Sequence, residues 1–154
     1  RRRTSLKLDI TRFFEQISEE RVYHLFRDKC ACSKKAAKLL ANFCCVPKGQ
    51  KGTNSRYKTI ARGFATSSRL AVWCNLDTFI KLDRLVKKRL KGRDPRIAIY
   101  VDDIGITASR VSKEEMKKLS AEIADLLLNA DKNQRLPINE KKTKISSHGR
   151  PVCS

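Results

Sequence analysis

A chain of 154 residues with 40% hydrophobic content is the size of one ordinary domain and has material for a sizeable core. Thirty-five Lys and Arg against sixteen Asp and Glu give a formal net charge of +19, an excess that points to a polyanionic partner, nucleic acid ahead of an anionic membrane surface. No apolar run approaches the roughly 18 residues of a membrane span and nothing resembles a signal peptide, so the sequence predicts a soluble, cytoplasmic protein with no membrane partner.

The opening, RRRTSLKLDI, has no Met and runs at once into a strand pattern, as a piece of a longer protein would. Leu6, Leu8 and Ile10 alternate with Lys7 and Asp9, which predicts a half-buried strand. Ser18 reads as the N-cap of a helix with Val22, Leu25, Phe26 and Cys30 on one face. Ser33 reads as the cap of a second, carrying Ala36, Leu40 and Phe43 toward Pro47. The stretch 48–58, KGQKGTNSRYK, has four basic residues, two glycines and no acid, and reads as an exposed basic loop prone to disorder.

From about Ala65 the pattern is helical, with Val72, Trp73, Leu76, Phe79, Ile80, Val86 and Leu90 on one side and Trp73 in the core, until KGRDP ends it. RIAIYV, with Ile97, Ile99 and Val101 on one face, and IGITA, with Ile104, Ile106 and Ala108 on one face, then form a hairpin with Asp102 and Asp103 at its turn. Ser112 and Glu115 make a capping box for a helix whose Met116, Leu119, Ile123, Leu126, Leu127 and Ala130 recur at helical spacing. RLPIN and TKISS supply closing strands. The six cysteines form no C-x-x-C pair and have only His24 and His148 for company, so they read as reduced, mostly buried thiols rather than a disulfide set or a zinc site.

This order describes a single domain, 1–154, of α+β class: an antiparallel sheet with helices packed on one face, of the split βαβ kind. Strand parity places Asp9 and Asp102 on the open face if the apolar residues face the helices, and a first strand paired beside the hairpin would bring Asp103 next to them. Two adjacent aspartates are ordinary turn residues. Three clustered carboxylates, however, repel one another unless a cation neutralises them, and Mg²⁺ takes oxygen ligands of this type together with substrate phosphates. A basic chain with such a cluster suggests phosphoryl transfer on nucleic acid.

Four segments in order resemble the palm domain of reverse transcriptases, particularly those of bacterial retrons and group II introns. LKLDITRFF resembles the first catalytic strand, and ARGFATSSRLAVWCN the L-P-Q-G-x-x-x-S-P block and its helix. YVDD matches the Y-x-D-D signature, and LPINEKKTKIS is similar to the L-x-x-N-x-x-K-T segment. The resemblance implies a catalytic role for Asp9, Asp102 and Asp103, with Asp9 and Asp102 as the principal ligands of two Mg²⁺ ions, Asp103 as an auxiliary carboxylate, and Mn²⁺ as a substitute. A primer 3′-hydroxyl would attack the α-phosphate of a deoxynucleoside triphosphate, on an RNA template with a DNA or RNA primer. It also implies a nucleotide-binding set: Phe14 as the aromatic that excludes a 2′-hydroxyl, Gly63 and Ser67 in the nucleotide-side turn, Arg62 beside them, and Lys142 near the triphosphate. Tyr100, of the same parity as Asp102, would touch the primer end.

The sequence departs from the pattern where Arg62 replaces the usual Gln, where Ala61 and Ala65 stand in place of common prolines, and where Ser68 follows Ser67 in place of proline. Arginine still grips phosphate, yet the change also fits altered substrate choice, including untemplated synthesis. The fingers and thumb of such a polymerase fall outside these residues, which predicts little polymerase activity from the segment alone. Three alternatives stand beside this reading. One is a noncatalytic nucleic-acid-binding module of the RNA-recognition kind, whose open face wants aromatics rather than acids. The others are another palm-type nucleotidyltransferase or cyclase, and a polymerase relative acting mainly through partner contacts.

Overall fold

The computed structural model describes residues 3–48 and 56–147. In chain order the elements are β1 (Arg3–Asp9), α1 (Glu19–His24), α2 (Lys34–Cys44), β2 (Cys45–Pro47), β3 (Lys58–Ile60), α3 (Ser67–Cys74), α4 (Leu76–Arg89), β4 (Arg96–Tyr100), β5 (Asp103–Ser109), α5 (Lys113–Asn129) and β6 (Lys144–Ser147). Contacts divide the chain into two compact units, one made of Arg1–Thr11 with Asp77–Ser154 and the other of Arg12–Leu76.

The first unit is built on a four-stranded sheet of order β4-β5-β1-β6, every neighbouring pair antiparallel. Taken by their order along the chain, its strands are arranged 2-3-1-4, the split βαβ topology expected of the α+β class. Alternation decides which face is covered. Leu6 and Leu8 of β1 pair with Ile106 and Ile104 of β5, and all four are buried. The intervening Ser5, Lys7, Gly105 and Thr107 share the opposite, more open face. Helix α5 packs against β1 and β6 through Met116, Leu119, Ile123 and Leu127, a stripe at helical spacing that is fully buried. Each such side chain contributes roughly 1.5–3 kcal/mol by leaving water, and truncating one of them, such as Leu8→Ala, costs about 2–5 kcal/mol. The capping box is present as expected: Ser112 accepts from the Glu115 backbone at 3.1 Å, and Glu115 accepts from the Ser112 backbone at 2.9 Å.

The second unit packs α1, α2 and α3 with the two-stranded β2–β3 ribbon. Ser18 and Ser33 cap α1 and α2 as expected, accepting backbone N–H bonds from Arg21 and Ala36, each at 3.2 Å. Phe13, Ile17, Val22, Leu25, Ile60 and Leu70 are buried. The predicted basic loop is only partly a loop. Lys58 opens β3, and the Lys48 N–H donates to the Tyr57 carbonyl at 2.8 Å, extending the ribbon beyond Pro47. Its positions 49–55 lie outside the described residues.

Several predicted faces change. Helix α1 passes at Leu25 into a π-turn over Leu25–Lys29. This turn widens the helix by a residue and carries Cys30 out of the expected apolar stripe, to an exposed position. In α2 the buried face is Ala37 and Ala41, while Leu40 and Phe43, expected inward, are exposed together with Leu39. Small residues allow close approach of a neighbouring element, and here that outweighs side-chain bulk. The long helix predicted from Ala65 is interrupted at Asn75, whose φ of −112° and ψ of 15° are not helical. A continuous 3.6-residue period therefore does not run through it, and Trp73, expected in the core, is 52% exposed. Of the cysteines, only Cys45 is buried among the described residues, and Cys30 is exposed, so the expectation of mostly buried thiols fails while all five described thiols are free. Cys153 and His148 lie outside the described residues.

Candidate active site

Strand β1 ends at Asp9 and strand β5 begins at Asp103, and the two residues are register partners across the ladder. Beyond them the Ile10 N–H donates to the Asp102 carbonyl at 2.8 Å. That bond makes Asp9 and Asp103 a non-hydrogen-bonded pair, the kind whose side chains stand closer together. Tyr100 pairs with Asp103 from the other side, so the hairpin turn consists of Val101 and Asp102 alone. Val101 has φ +56°, a left-handed conformation that a β-branched residue adopts only at a cost of about 1–3 kcal/mol. The sequence pattern placed Val101 on the apolar face with Ile97 and Ile99; in the structure it is instead the strained corner of the turn.

Each opposed carboxylate is met by an ammonium. Lys142 Nζ lies 3.5 Å from Asp9 Oδ2, and Lys7 Nζ lies 3.5 Å from Asp103 Oδ2. Lys7 stands two residues before Asp9 on β1 and so shares its face; that period-two spacing was the available signal, and sequence reasoning did not single the residue out. Lys142 arrives by a different route. The Thr11 N–H donates to the Pro137 carbonyl and the Asn139 N–H to the Asp9 carbonyl, each at 2.8 Å, so the segment before β6 is laid along the end of β1. A short 3-10 turn at Glu140–Lys142 then brings Lys142 to Asp9. The segment read as the closing strand RLPIN thus makes a single bridge, Ile10 to Ile138, rather than a ladder.

Asp9 is almost enclosed at 9% exposure, Asp102 and Asp103 are partly exposed, and Tyr100 is open to solvent at 79%. The donor chemistry is that of a hard cation: the carboxylate at the end of β1 and two at the turn of the neighbouring hairpin, with lysine ammoniums beside Asp9 and Asp103. Among the described residues, no three His, Cys, Asp or Glu side chains converge closely enough to form a ready-made metal cage. Fit to Mg²⁺ therefore rests on residue type and on the opposed Asp9 and Asp103.

The remaining predicted residues belong to the second unit. Phe13 is buried and Phe14 only partly so, their rings 6.1 Å apart and tilted, which leaves one aromatic of the pair outside the core. Arg62 is exposed and its Nε lies 3.3 Å from Glu15 Oε1, a partner the sequence reading did not identify. Gly63 has φ +89°, and a Cβ there would meet nothing within 4 Å, so backbone conformation rather than a crowding protein neighbour accounts for glycine. Ser67 is buried, and its hydroxyl donates to the Ala61 carbonyl, so within this unit it fastens the turn.

The two-layer sheet with opposed carboxylates at its hairpin end is accompanied by likeness to reverse transcriptases. The chain is 27% identical over 143 residues to the Retron Ec48 reverse transcriptase of Escherichia coli, a match covering 93% of this chain and 30% of that protein. Among solved structures it resembles apo telomerase from Candida tropicalis truncated from its C-terminal domain. That likeness has a TM-score of 0.53 and 14% identity, covers 99% of this chain and 32% of the other, and supports the fold alone. No family model matches. The chain thus spans about 30% of the length of these relatives. Among the described residues, no helix is long and apolar enough to cross a membrane.

Proposed function

We propose that this chain is the palm segment of an RNA-directed DNA polymerase, carrying the carboxylates for transfer of deoxynucleotides to a primer 3′-hydroxyl. The observation that carries the reading is the direct opposition of Asp9 and Asp103, with Asp102 held in the adjoining turn by the bond from the Ile10 N–H to its carbonyl. Similarity to a retron reverse transcriptase over nearly the whole chain supports it.

In this reading Asp9, Asp102 and Asp103 hold Mg²⁺ ions, with Mn²⁺ as a substitute, and these supply Lewis acidity to the attacking hydroxyl and the departing pyrophosphate. The chain's own contribution is positional. The ladder sets two carboxylates side by side on the open face, and the two-residue turn holds the third. Lys142, free to leave Asp9 once that carboxylate has another counter-charge, presents its ammonium to the triphosphate. Tyr100 lies beside Asp103 as an exposed platform for the primer end. Phe14, Arg62, Gly63 and Ser67 form the nucleotide-side set, with Phe14 rejecting ribonucleotides. The oxygen of the primer 3′-hydroxyl bonds to the α-phosphorus as the bond to the pyrophosphate oxygen breaks, and the hydroxyl proton goes to solvent. Template, primer, fingers and thumb belong to the longer protein, and the segment alone extends little or no primer.

A second reading, a noncatalytic sheet whose acids are permanently neutralised, has one observation in its favour, the lysine 3.5 Å from each opposed carboxylate. One experiment separates them. Deoxynucleotide incorporation on an RNA template with a DNA primer is measured with the intact protein that carries this segment and with its Asp102→Asn, Asp103→Asn variant. Synthesis lost in the variant supports the polymerase; a folded, nucleic-acid-binding protein that makes no product supports the second reading.

A further inference from the structure

Helix α4 sorts its cations in a way the acid site does not require. Thr78, Phe79, Leu82 and Val86 are buried on one side of it, and a helical period of 3.6 residues puts Arg84, Lys88 and Lys91 together on the other, Lys91 in the turn just past the helix end. Cations on the flanks are neutralised: Lys87 pairs with Asp83, and Arg89 with Glu122 of α5, each at 2.7 Å. Lys81 donates to the Ala130 carbonyl at 3.0 Å. Among the described residues, Arg84, Lys88 and Lys91 have no acidic partner, and all three are exposed.

Like charges at this spacing oppose helix formation by a few tenths of a kcal/mol per pair. The helix dipole favours cations in the last turn, which accounts for Lys88 but not for Arg84 a turn earlier. Helix α5 covers the apolar face of the sheet and is tied to α4 by Arg89 and Lys81, so this line of charge belongs to the helical layer, whereas Asp9 and Asp103 lie on the open face.

We infer that Arg84, Lys88 and Lys91 form a track for the phosphodiester backbone of a nucleic-acid duplex, separate from the strand end proposed to meet the acids. Three features select that occupant. From Arg84 to Lys88 the helix advances about 6 Å, and Lys91 extends the line from the turn beyond it, a spread that suits successive phosphates of one backbone. It contains no aromatic on which an unstacked base would rest, which disfavours a single strand. It offers only donors and positive charge, which position a backbone without reading sequence. The inference goes beyond the polymerase reading and does not depend on it, since binding here uses neither acids nor metal.

The test is binding of a labelled 20-base-pair RNA duplex by the full chain across a salt series in EDTA. The native chain is compared with an Arg84→Gln, Lys88→Gln, Lys91→Gln variant and with a control that removes the same charge from α2, Lys34→Gln, Lys35→Gln, Lys38→Gln. Expected for the track variant are an unchanged thermal midpoint, affinity at least about tenfold weaker near 0.1 M salt, and a log–log salt slope shallower by about 2–3. The control changes the slope by less than about 1. Equal losses in both variants would overturn the track in favour of diffuse charge. So would native duplex binding by the track variant combined with loss of binding to phosphatidylserine vesicles, which would assign the face to an anionic membrane.

Discussion

Asp9 and Asp103 are opposed across the β1–β5 ladder as a non-hydrogen-bonded pair, so two carboxylates stand at the closest spacing an antiparallel sheet provides. Like charges in that relation destabilise a sheet, and Lys7 and Lys142 offset the repulsion. A divalent ion that binds the folded site stabilises it by mass action, about 2.7 kcal/mol when its concentration is a hundredfold above the dissociation constant. Calorimetry in EDTA and with millimolar Mg²⁺ is expected to show a rise in thermal midpoint for the native chain and none for Asp102→Asn, Asp103→Asn. An equal rise in both would remove the acids as the ion's ligands.

Phe13 and Phe14 are adjacent but occupy different environments. Phe13→Ala is expected to cost about 3–5 kcal/mol, as for other fully buried aromatics, whereas Phe14→Ala leaves the core intact and costs less than about 2 kcal/mol. Urea denaturation of the two variants measures both values. Equal costs would place Phe14 in the core and leave it unavailable to a nucleotide.

The thiols differ in reactivity. Burial holds Cys45 and Cys74 up at about 12, Cys45 also feeling Glu19, while Cys30 is exposed. Alkylation with iodoacetamide at pH 8, followed by peptide mass spectrometry, is expected to label Cys30 first. Cys45 and Cys74 react only after unfolding, because the thiolate is the nucleophile. Early labelling of Cys45 would show that the β2–β3 ribbon opens readily.

Glu115 completes the cap of α5. The Ser112 backbone N–H and the Arg93 guanidinium hold its carboxyl below the usual glutamate value of 4.5. A folded value below the unfolded one means that the contribution to stability is fully present above about pH 4.5 and is lost as pH falls through the folded value. Ser112→Ala is expected to cost about 1 kcal/mol at neutral pH. Glu115→Gln should flatten the acid limb of the stability profile, and an unchanged limb would mean that this carboxyl is not the group responsible.

Much of this was legible because period-two alternation is a strong constraint. Leu6, Leu8, Ile104 and Ile106 fixed which face of each strand is covered, and from that the approach of Asp9 to the hairpin acids followed once β1 was paired beside the hairpin; parity had set Asp102 on the open face with Asp9, whereas Asp103 takes the ladder position opposite Asp9 and Asp102 goes to the turn. Caps at Ser18, Ser33 and Ser112 were equally readable, since a short polar side chain before a helical run satisfies N–H groups that have no other partner. The helix faces were less so. A π-turn at Leu25, a non-helical Asn75 and an alanine-lined contact at Ala37 and Ala41 each break the rule that bulky apolar residues mark the inner stripe, and none has a distinctive local signature. The lysines at the acids divided similarly: Lys142 was marked by its motif, whereas Lys7, a single cation on a half-buried strand, looked like ordinary surface.

The position of β1 in the sheet also carries a timing consequence. It is an inner strand, yet it precedes its partner β5 by more than ninety residues, the separation of Asp9 from Asp103. At ribosomal rates of roughly 5–20 residues per second, Leu6, Leu8 and Ile10 wait about 5–20 s for the hairpin that pairs their strand, and longer for the helix α5 that covers them. Lys7, in the middle of that apolar run, keeps the waiting strand from associating with others of its kind. The same ammonium that later meets Asp103 thus guards the nascent chain before Asp103 has been made.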